Sequence, residues 1–206
     1  MKKLERSDIQ NLYEYEKARP DFRNAVMALK RHRRIGVGRH ISLVFENRET
    51  LKFQIQEMIR AERLVDDAKI DEEIRVYNQL IPDAHELSAT LLLEITEPGE
   101  IKPALDRFQG IDSGDRVYFE FGEGDRVPAQ FEAGHSREDR ISAVQYVRFA
   151  FTARQQEGFK DPKTSVALVV DHPGFEARTV LTPEQRAALR RDFEETSAGV
   201  GGTAAP

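Results

Sequence analysis

The chain has 206 residues, 39% of them hydrophobic, which is enough to bury one substantial core. Its formal net charge of −5 argues against general affinity for nucleic acid or an anionic membrane, since both require a surplus of Lys and Arg on one surface. The absence of cysteine excludes disulfides, thiolate zinc sites and any iron–sulfur cluster held by this chain, so a bound metal ion would need His, Asp or Glu ligands.

The first part of the chain is predicted to be mainly helical. Ser7 is a good helix N-cap, and Pro20 followed by Asp21 is typical of the start of a new helix, so the first helix is expected to end near Ala18. The predicted elements here are helices over residues 8–18, 20–34, 47–64 and 68–79, and a strand over residues 40–45.

Beyond Pro82 the hydrophobic residues recur mainly at every second position, a pattern typical of strands. Thr182 followed by Pro183 indicates the start of a C-terminal helix. The predicted elements here are strands over residues 87–95, 117–121, 141–151, 165–170 and 175–181, a short helix over residues 98–108 and a last helix ending near residue 195.

These elements predict an α+β fold, in which a helical N-terminal third packs on a mostly antiparallel sheet with a C-terminal helix. A single domain over residues 1–196 is favoured, a helical sub-lobe over residues 1–82 is the alternative, and residues 197–206 are expected to form a flexible tail. No apolar run approaches the roughly 20 residues of a membrane-spanning helix, and the N-terminus lacks the apolar core of a signal peptide, so we expect a cytoplasmic protein.

Glu62 occupies a position where the helix over residues 47–64 should present an apolar side chain. A carboxylate directed at a core without a partner would cost on the order of several kcal/mol. Glu62 should therefore meet an arginine, a proton or a metal ion, or turn towards water at the helix end. The apolar stripe that leads to it consists of Leu51, Ile55, Met58 and Ile59.

Two other predicted helices carry a charge at the equivalent point, namely Glu16 and Arg33. One interpretation is that these side chains reach water, or that Arg33 pairs with one of the two glutamates. The other is a carboxylate cluster that binds a metal ion, although none of the predicted helices carries a Glu-x-x-His pair of the kind that di-iron bundles use. The candidate metal ligands are Glu16, Glu57, Glu62 and Glu86.

A basic run extends from Lys30 to Arg34 and continues at Arg39. Cations near a helix C-terminus are favourable because the helix dipole is negative there, which is sufficient to explain the run. The functional alternative is a pocket for an anion or a nucleotide. Its candidate residues are Arg31, Arg33, Arg34 and Arg39.

No G-x-S-x-G, Walker A or H-E-x-x-H motif occurs in the sequence, which favours a non-enzymatic role. Three segments nevertheless form distinctive blocks: YEKARPDFRNAVMALKRHRR (residues 15–34), FENRETLKFQIQEMIRAER (45–63) and YNQLIPDAHELSATLLLEI (77–95). Their polar residues are expected to form a buried hydrogen-bond network or to line a ligand pocket. These residues include Asn47, Gln54, Gln56 and Asn78.

On these three blocks the chain resembles an uncharacterised bacterial family, the domain of unknown function family 3501. The resemblance implies an accessory or partner-binding protein of a redox or peroxide-defence system, whose partner would be a rubrerythrin-like protein or an iron–sulfur oxidoreductase subunit. It implies no catalytic residue, so a metal-binding protein or enzyme, and an anion- or nucleotide-binding module, remain alternatives.

Overall fold

The computed structural model describes residues 1–97, 99, 101–122, 124–132 and 141–200, with the backbone alone for residues 195–200. Within these residues the chain forms helices and two antiparallel sheets, so the predicted α+β fold is confirmed. Among the described helices, none is sufficiently long and apolar to cross a membrane. The helices are α1 (Leu12–Arg31), α2 (Arg48–Glu62), α3 (Asp67–Asn78), α4 (Ile101–Arg107), α5 (Ala153–Lys160) and α6 (Pro183–Val200).

Helix α1 is one continuous helix where the sequence predicted two. Asn11 caps it by accepting a hydrogen bond from the amide of Glu14, whereas Ser7 lies in a short 3-10 turn that precedes it. Pro20 is inside α1 and exposed, so the helix continues past a residue that cannot donate to the carbonyl of Glu16. Because Pro20 is on the solvent side, water can satisfy that carbonyl.

The sheets contain five and four strands. The strand predicted over residues 40–45 is present as Ile41–Glu46 and pairs with a strand from the later part of the chain, Glu86–Leu93. The five-stranded sheet has the order β1 (Arg34–Val37), β2 (Ile41–Glu46), β3 (Glu86–Leu93), β7 (Val144–Ala150) and β6 (Gln130–Phe131). The four-stranded sheet has the order β5 (Asp125–Pro128), β4 (Val117–Phe121), β8 (Val166–His172) and β9 (Phe175–Val180).

The main core lies between the two sheets and is rich in phenylalanine. Phe119 on β4 packs against Phe149 on β7, with the ring centroids 4.8 Å apart and the rings nearly perpendicular. Phe45 on β2 contacts both of these rings. Phe159 of α5 and Phe193 of α6 close the cluster, with their centroids 5.8 Å apart. The face of the five-stranded sheet that carries Phe45 and Phe149 therefore packs in the main core. The N-terminal helices lie on the opposite face.

The helices α2 and α3 have a second, smaller hydrophobic cluster, which lies within the region predicted as an alternative helical sub-lobe. Strands β1 and β2 come from the same region but contribute to the main core. The members of the smaller cluster are Leu4, Ile9, Leu51, Ile55, Ile59, Ile70, Ile74 and Ile81.

The two sheets meet where β1 lies beside β9. Gly38, in the turn after β1, has a φ of +66°, and a Cβ there would lie 2.5 Å from the ring of Phe175 on β9. Glycine is therefore required for both the backbone conformation and the close approach. Beside this turn the Thr179 hydroxyl of β9 donates a hydrogen bond of 2.9 Å to the carbonyl of Gly36 on β1.

The C-terminal helix α6 continues to Val200, so the first residues of the predicted flexible tail, 197–200, are helical. Residues 201–206 of that tail lie outside the described part of the chain. The helix begins as predicted after Thr182, whose hydroxyl accepts a hydrogen bond from the amide of Gln185.

Candidate functional site

A groove of about 670 Å³ lies between the helices α1 and α2 and the outer face of the five-stranded sheet. Side chains on β2, β3 and β7 alternate between the two faces of the sheet, so every second residue points away from the phenylalanine core. Val44, Leu92 and Val144 supply the apolar part of the groove lining in this way, and Met27 of α1 adds to it. Such a volume is in the range of small-molecule sites.

The groove has a basic rim at the C-terminal end of α1, formed by Lys30, Arg31 and Arg34. Arg31 and Arg34 are exposed, and Lys30 is half-buried. Arg34 also forms an ion pair with Glu94, whereas no described carboxylate lies within ion-pair distance of Lys30 or Arg31. Two predicted anion-binding residues, Arg31 and Arg34, therefore lie together at one cavity.

Glu46 lines the same groove and is only 2% exposed. Its Oε2 accepts a hydrogen bond of 2.6 Å from the hydroxyl of Thr50, and its Oε1 accepts one of 3.0 Å from the hydroxyl of Thr90. Thr50 is fixed because it also belongs to the capping box of α2 with Asn47. A carboxylate with two ordered donors is thereby held in a rigid position on one side of the groove.

Tyr146 on β7 and Gln54 on α2 complete the polar lining with Thr90. Burial raises the pKa of Tyr146, and the charges of Glu132 and Glu46 act in the same direction. The phenol is therefore protonated at neutral pH and can donate a hydrogen bond. The groove thus combines cations at its rim with hydroxyl, amide and carboxylate groups along its sheet side.

The predicted anion-binding residue Arg33 has a different role. It follows α1 immediately, and its guanidinium forms a buried ion pair with Asp192 of α6, both side chains being 1% exposed. Its Nη2 and Nη1 lie 2.5 Å and 3.1 Å from the two carboxylate oxygens of Asp192. Arg33 also donates to the backbone carbonyls of Phe45, Glu46 and Ala188. Every nitrogen of the guanidinium is therefore engaged inside the protein.

The proposed pairing of Arg33 with Glu16 or Glu62 is consequently wrong, although an internal ion pair does exist. The fourth candidate for the anion pocket, Arg39, is exposed in the turn between β1 and β2 and does not line the groove. Lys30 takes its place in the basic rim.

The structure does not bring the four candidate metal ligands together. Among the described residues no group of three or more His, Cys, Asp or Glu side chains is arranged to hold a metal ion. Three of the four candidates instead form separate ion pairs with arginines, and Glu57 pairs with Arg19. These further ion pairs are Glu16 with Arg60 and Glu86 with Arg148.

Glu62 is exposed at the last position of α2. The next residue, Arg63, adopts a left-handed conformation with φ of 53°, which ends the helix where the apolar stripe would have continued. The carboxylate therefore turns to water at the helix end, which was one of the predicted outcomes.

Glu57 joins α1 to α2 through a second ordered ion pair. Arg19 donates to both of its oxygens, with Nε and Nη2 at 2.8 Å and 2.9 Å, and the Tyr15 hydroxyl donates at 2.7 Å. The hydrogen bonds from Arg19 hold the pKa of Glu57 at about 2, against the opposing effect of burial. Burial and the contact with Glu57 raise the pKa of Tyr15. These contacts hold α1, which forms one wall of the groove, against α2.

The four residues predicted to form a polar network lie at separate places. Asn47 caps α2 by accepting from the amide of Thr50, and Gln54 lines the groove. Gln56 exchanges two hydrogen bonds with the backbone of Gln10, and Asn78 exchanges two with the backbone of Leu4. The last two therefore fasten the N-terminal segment rather than the sheet.

Sequence reasoning missed Glu46, Thr90 and Tyr146 as groove residues. Each is a polar residue at an alternate position of a strand whose other face is apolar. That alternation was a usable signal for Thr90 and Tyr146. Glu46 fell just beyond the strand predicted over residues 40–45 and was therefore not assigned to either face.

The family and the solved structure that this chain resembles are both described as being of unknown function. A family model described as "Protein of unknown function (DUF3501)" matches residues 3–193. A crystal structure of a protein of unknown function from Burkholderia pseudomallei is 29% identical to this chain, with a TM-score of 0.85, over 93% of this chain and 100% of the other. The comparison with curated proteins gave no match.

Proposed function

Since the chain belongs to the DUF3501 family of proteins of unknown function, we propose from its geometry that it binds a small organic anion in the groove between α1, α2 and the five-stranded sheet. The observation that carries this proposal is the convergence of Lys30, Arg31 and Arg34 on one cavity of about 670 Å³. In a protein with a net charge of −5, such a local surplus of cations is a specific feature of this surface.

The remainder of the lining supports a ligand with an organic body rather than a bare inorganic ion. Met27, Val44, Leu92 and Val144 offer apolar contacts next to the basic rim, and Tyr146 adds an aromatic side chain to the lining. Sites for small molecules commonly combine such apolar walls with a few placed polar groups. A phosphate or carboxylate at the rim would leave the rest of the ligand against this lining.

We expect wild-type protein to be stabilised thermally by at least one member of a panel of pyrophosphate, the four common ribonucleoside monophosphates, citrate and glutamate. Binding to the folded state alone raises stability by RT ln(1 + [L]/Kd), which is about 2.7 kcal/mol at a ligand concentration of 100 times Kd. Isothermal titration calorimetry at low ionic strength should then show at least about tenfold weaker binding to the double variant Arg31→Ala/Arg34→Ala, because two charge-assisted contacts are removed.

The matched control is the double variant Lys69→Ala/Arg75→Ala, which removes the same charge from the exposed surface of α3. Binding that weakens equally in both double variants would mean that the anion responds to overall charge, and the groove would not be the site. An absence of any stabilisation by the whole panel would remove the proposal.

The resemblance described above also motivates a cytoplasmic accessory role beside a rubrerythrin-like protein or an iron–sulfur oxidoreductase subunit, and this role stays a prediction. The chain has no cysteine, so an iron–sulfur cluster would have to belong to the partner. Affinity purification at low salt from the native source, with mass spectrometry of the bound proteins, tests it. Recovery of the protein without any redox protein would contradict the role.

A further inference from the structure

Glu46 differs from the other carboxylates of the described chain in how it is buried. It is 2% exposed, yet its two hydrogen-bond donors are the hydroxyls of Thr50 and Thr90, and among the described residues no Lys, Arg or His lies within ion-pair distance of it. The other ordered carboxylates near α1 and α2, such as Glu57, are paired with arginine. Glu46 therefore places a carboxylate without a paired cation in a groove whose rim carries basic side chains.

The carboxylate of Glu46 retains hydrogen-bonding capacity. An ionised carboxylate offers about four lone-pair sites, two on each oxygen. Thr50 occupies one site on Oε2 and Thr90 occupies one on Oε1, so each oxygen keeps one site. Because the two oxygens belong to one planar carboxylate, the group is able to accept two parallel N–H donors, one on each oxygen.

We propose that the ligand of the groove carries, besides its anionic group, a pair of adjacent N–H donors that Glu46 accepts. Guanine presents such a pair at N1 and the 2-amino group, and a guanidinium presents one as well. The anionic group would lie at Arg31 and Arg34, and the donor pair at Glu46, since both sets of side chains line the same groove. The inference rests on the proposed function and specifies which class of anion is selected.

This arrangement makes Glu46 a specificity-determining residue. A ligand that places apolar atoms or an acceptor against the carboxylate leaves its free hydrogen-bonding capacity unsatisfied, which is unfavourable. A ligand with one donor satisfies half of the free capacity, and a ligand with two satisfies all of it. Selection therefore operates partly by rejection, as in sites built to hydrogen-bond a particular substrate group.

The first test uses wild-type protein and calorimetric titration with GMP, IMP and AMP. IMP keeps the N1–H of GMP but lacks the 2-amino group, and AMP presents an acceptor at N1. We expect GMP to bind at least about tenfold more tightly than IMP and AMP to bind more weakly still, because a lost hydrogen bond to a charged group has an effect of this size. Arginine titrated in parallel distinguishes the two sources of the donor pair: tighter binding of arginine than of GMP assigns the groove to guanidino compounds.

The second test is the variant Glu46→Gln, which keeps the shape of the side chain but offers one acceptor and one donor. This pattern matches the N1–H and the 2-carbonyl of XMP, so we expect the variant to prefer XMP to GMP by about tenfold, with the opposite preference in wild type. The control variant Glu120→Gln changes a carboxylate of the four-stranded sheet that pairs with Arg178. It should keep the wild-type preference for GMP over XMP. Circular dichroism and thermal unfolding establish that both variants are folded.

The possible failures are distinguishable. Equal binding of GMP, IMP and AMP, weakened by Arg31→Ala/Arg34→Ala, would overturn the role of Glu46 and leave the anion groove intact. The same conclusion would follow if pyrophosphate or citrate bound at the rim and no ligand with a donor pair did. If no member of either panel bound, the anion groove and the role of Glu46 would both be overturned.

Discussion

Replacement of Asp192 with alanine is expected to lower the free energy of unfolding by about 3–5 kcal/mol, because it leaves the guanidinium of Arg33 buried without its counter-charge. Both side chains are 1% exposed, so water cannot take over the role of the lost carboxylate without opening the structure. The contacts of Arg33 with the carbonyls of Phe45, Glu46 and Ala188 would persist, but they do not neutralise the charge. Urea denaturation followed by circular dichroism measures the change.

The matched control is Glu72→Ala, which removes the partner of Arg75 in an exposed pair on α3. Exposed ion pairs contribute about 0.2–1 kcal/mol to stability, so the free energy of unfolding of the control should be close to that of wild type. The double variant Arg33→Met/Asp192→Leu removes both charges and should recover part of the stability lost in Asp192→Ala. A loss in Asp192→Ala no larger than that in the control would show that the ion pair does not hold α6 to the sheet.

Replacement of Glu57 with alanine is expected to lower the free energy of unfolding by about 2–3 kcal/mol, since it leaves the Tyr15 hydroxyl without its acceptor and Arg19 without its counter-charge. Tyr15 is fully buried, whereas the side chains of Arg19 and Glu57 are each 29% exposed, so solvent compensates for part of the loss. Glu16→Ala is the control, because its ion pair with Arg60 joins the same two helices at an exposed position. It should cost less than about 1 kcal/mol.

The difference in free energy of unfolding between wild type and Glu57→Gln is expected to depend on pH. The pKa of Glu57 is about 2 in the folded protein against 4.5 ordinarily, so the unfolded chain binds this proton more readily. The contribution of Glu57 to stability is therefore fully present above pH 4.5 and is lost as the pH falls towards 2. Urea denaturation at several pH values should show the two proteins converging in acid. A constant difference across this range would mean that the charge of Glu57 is not what stabilises the helix pair.

The local elements followed from the sequence where their patterns were complete. The helix capped by Asn47 and five of the strands after Pro82 were found because caps, turns and apolar spacing agreed. The short strands β1, β5 and β6 and the helix α5 were not predicted. Helix α1 was split at Pro20, so its buried face was not recognised as one stripe that includes Tyr15 and Val26. Proline usually interrupts a helix interior, so local signals favoured a break at a position where the helix continues.

The partners of the charged residues were harder to predict because they lie far away in the sequence. An internal ion pair was anticipated for Arg33, but its partner Asp192 is 159 residues away, and helical spacing contains no information at that distance. The grouping of the groove residues was hard to predict for the same reason. Arg31 and Arg34 were recognised from a local run, whereas their meeting with Glu46 and Tyr146 depends on how α1 crosses the sheet. Sequence therefore suggested the residue types of the candidate site more successfully than their grouping.

The contact between β1 and β9 also bears on the behaviour of the protein at high concentration. A strand at the end of a sheet exposes unpaired backbone groups, which can recruit a strand from another molecule and start aggregation. Here β1 ends the five-stranded sheet, and its Gly36 carbonyl already accepts a hydrogen bond from Thr179 of β9, while Phe175 packs over the following turn. One sheet thus covers the end of the other, and intermolecular strand addition at β1 would first require the two sheets to separate.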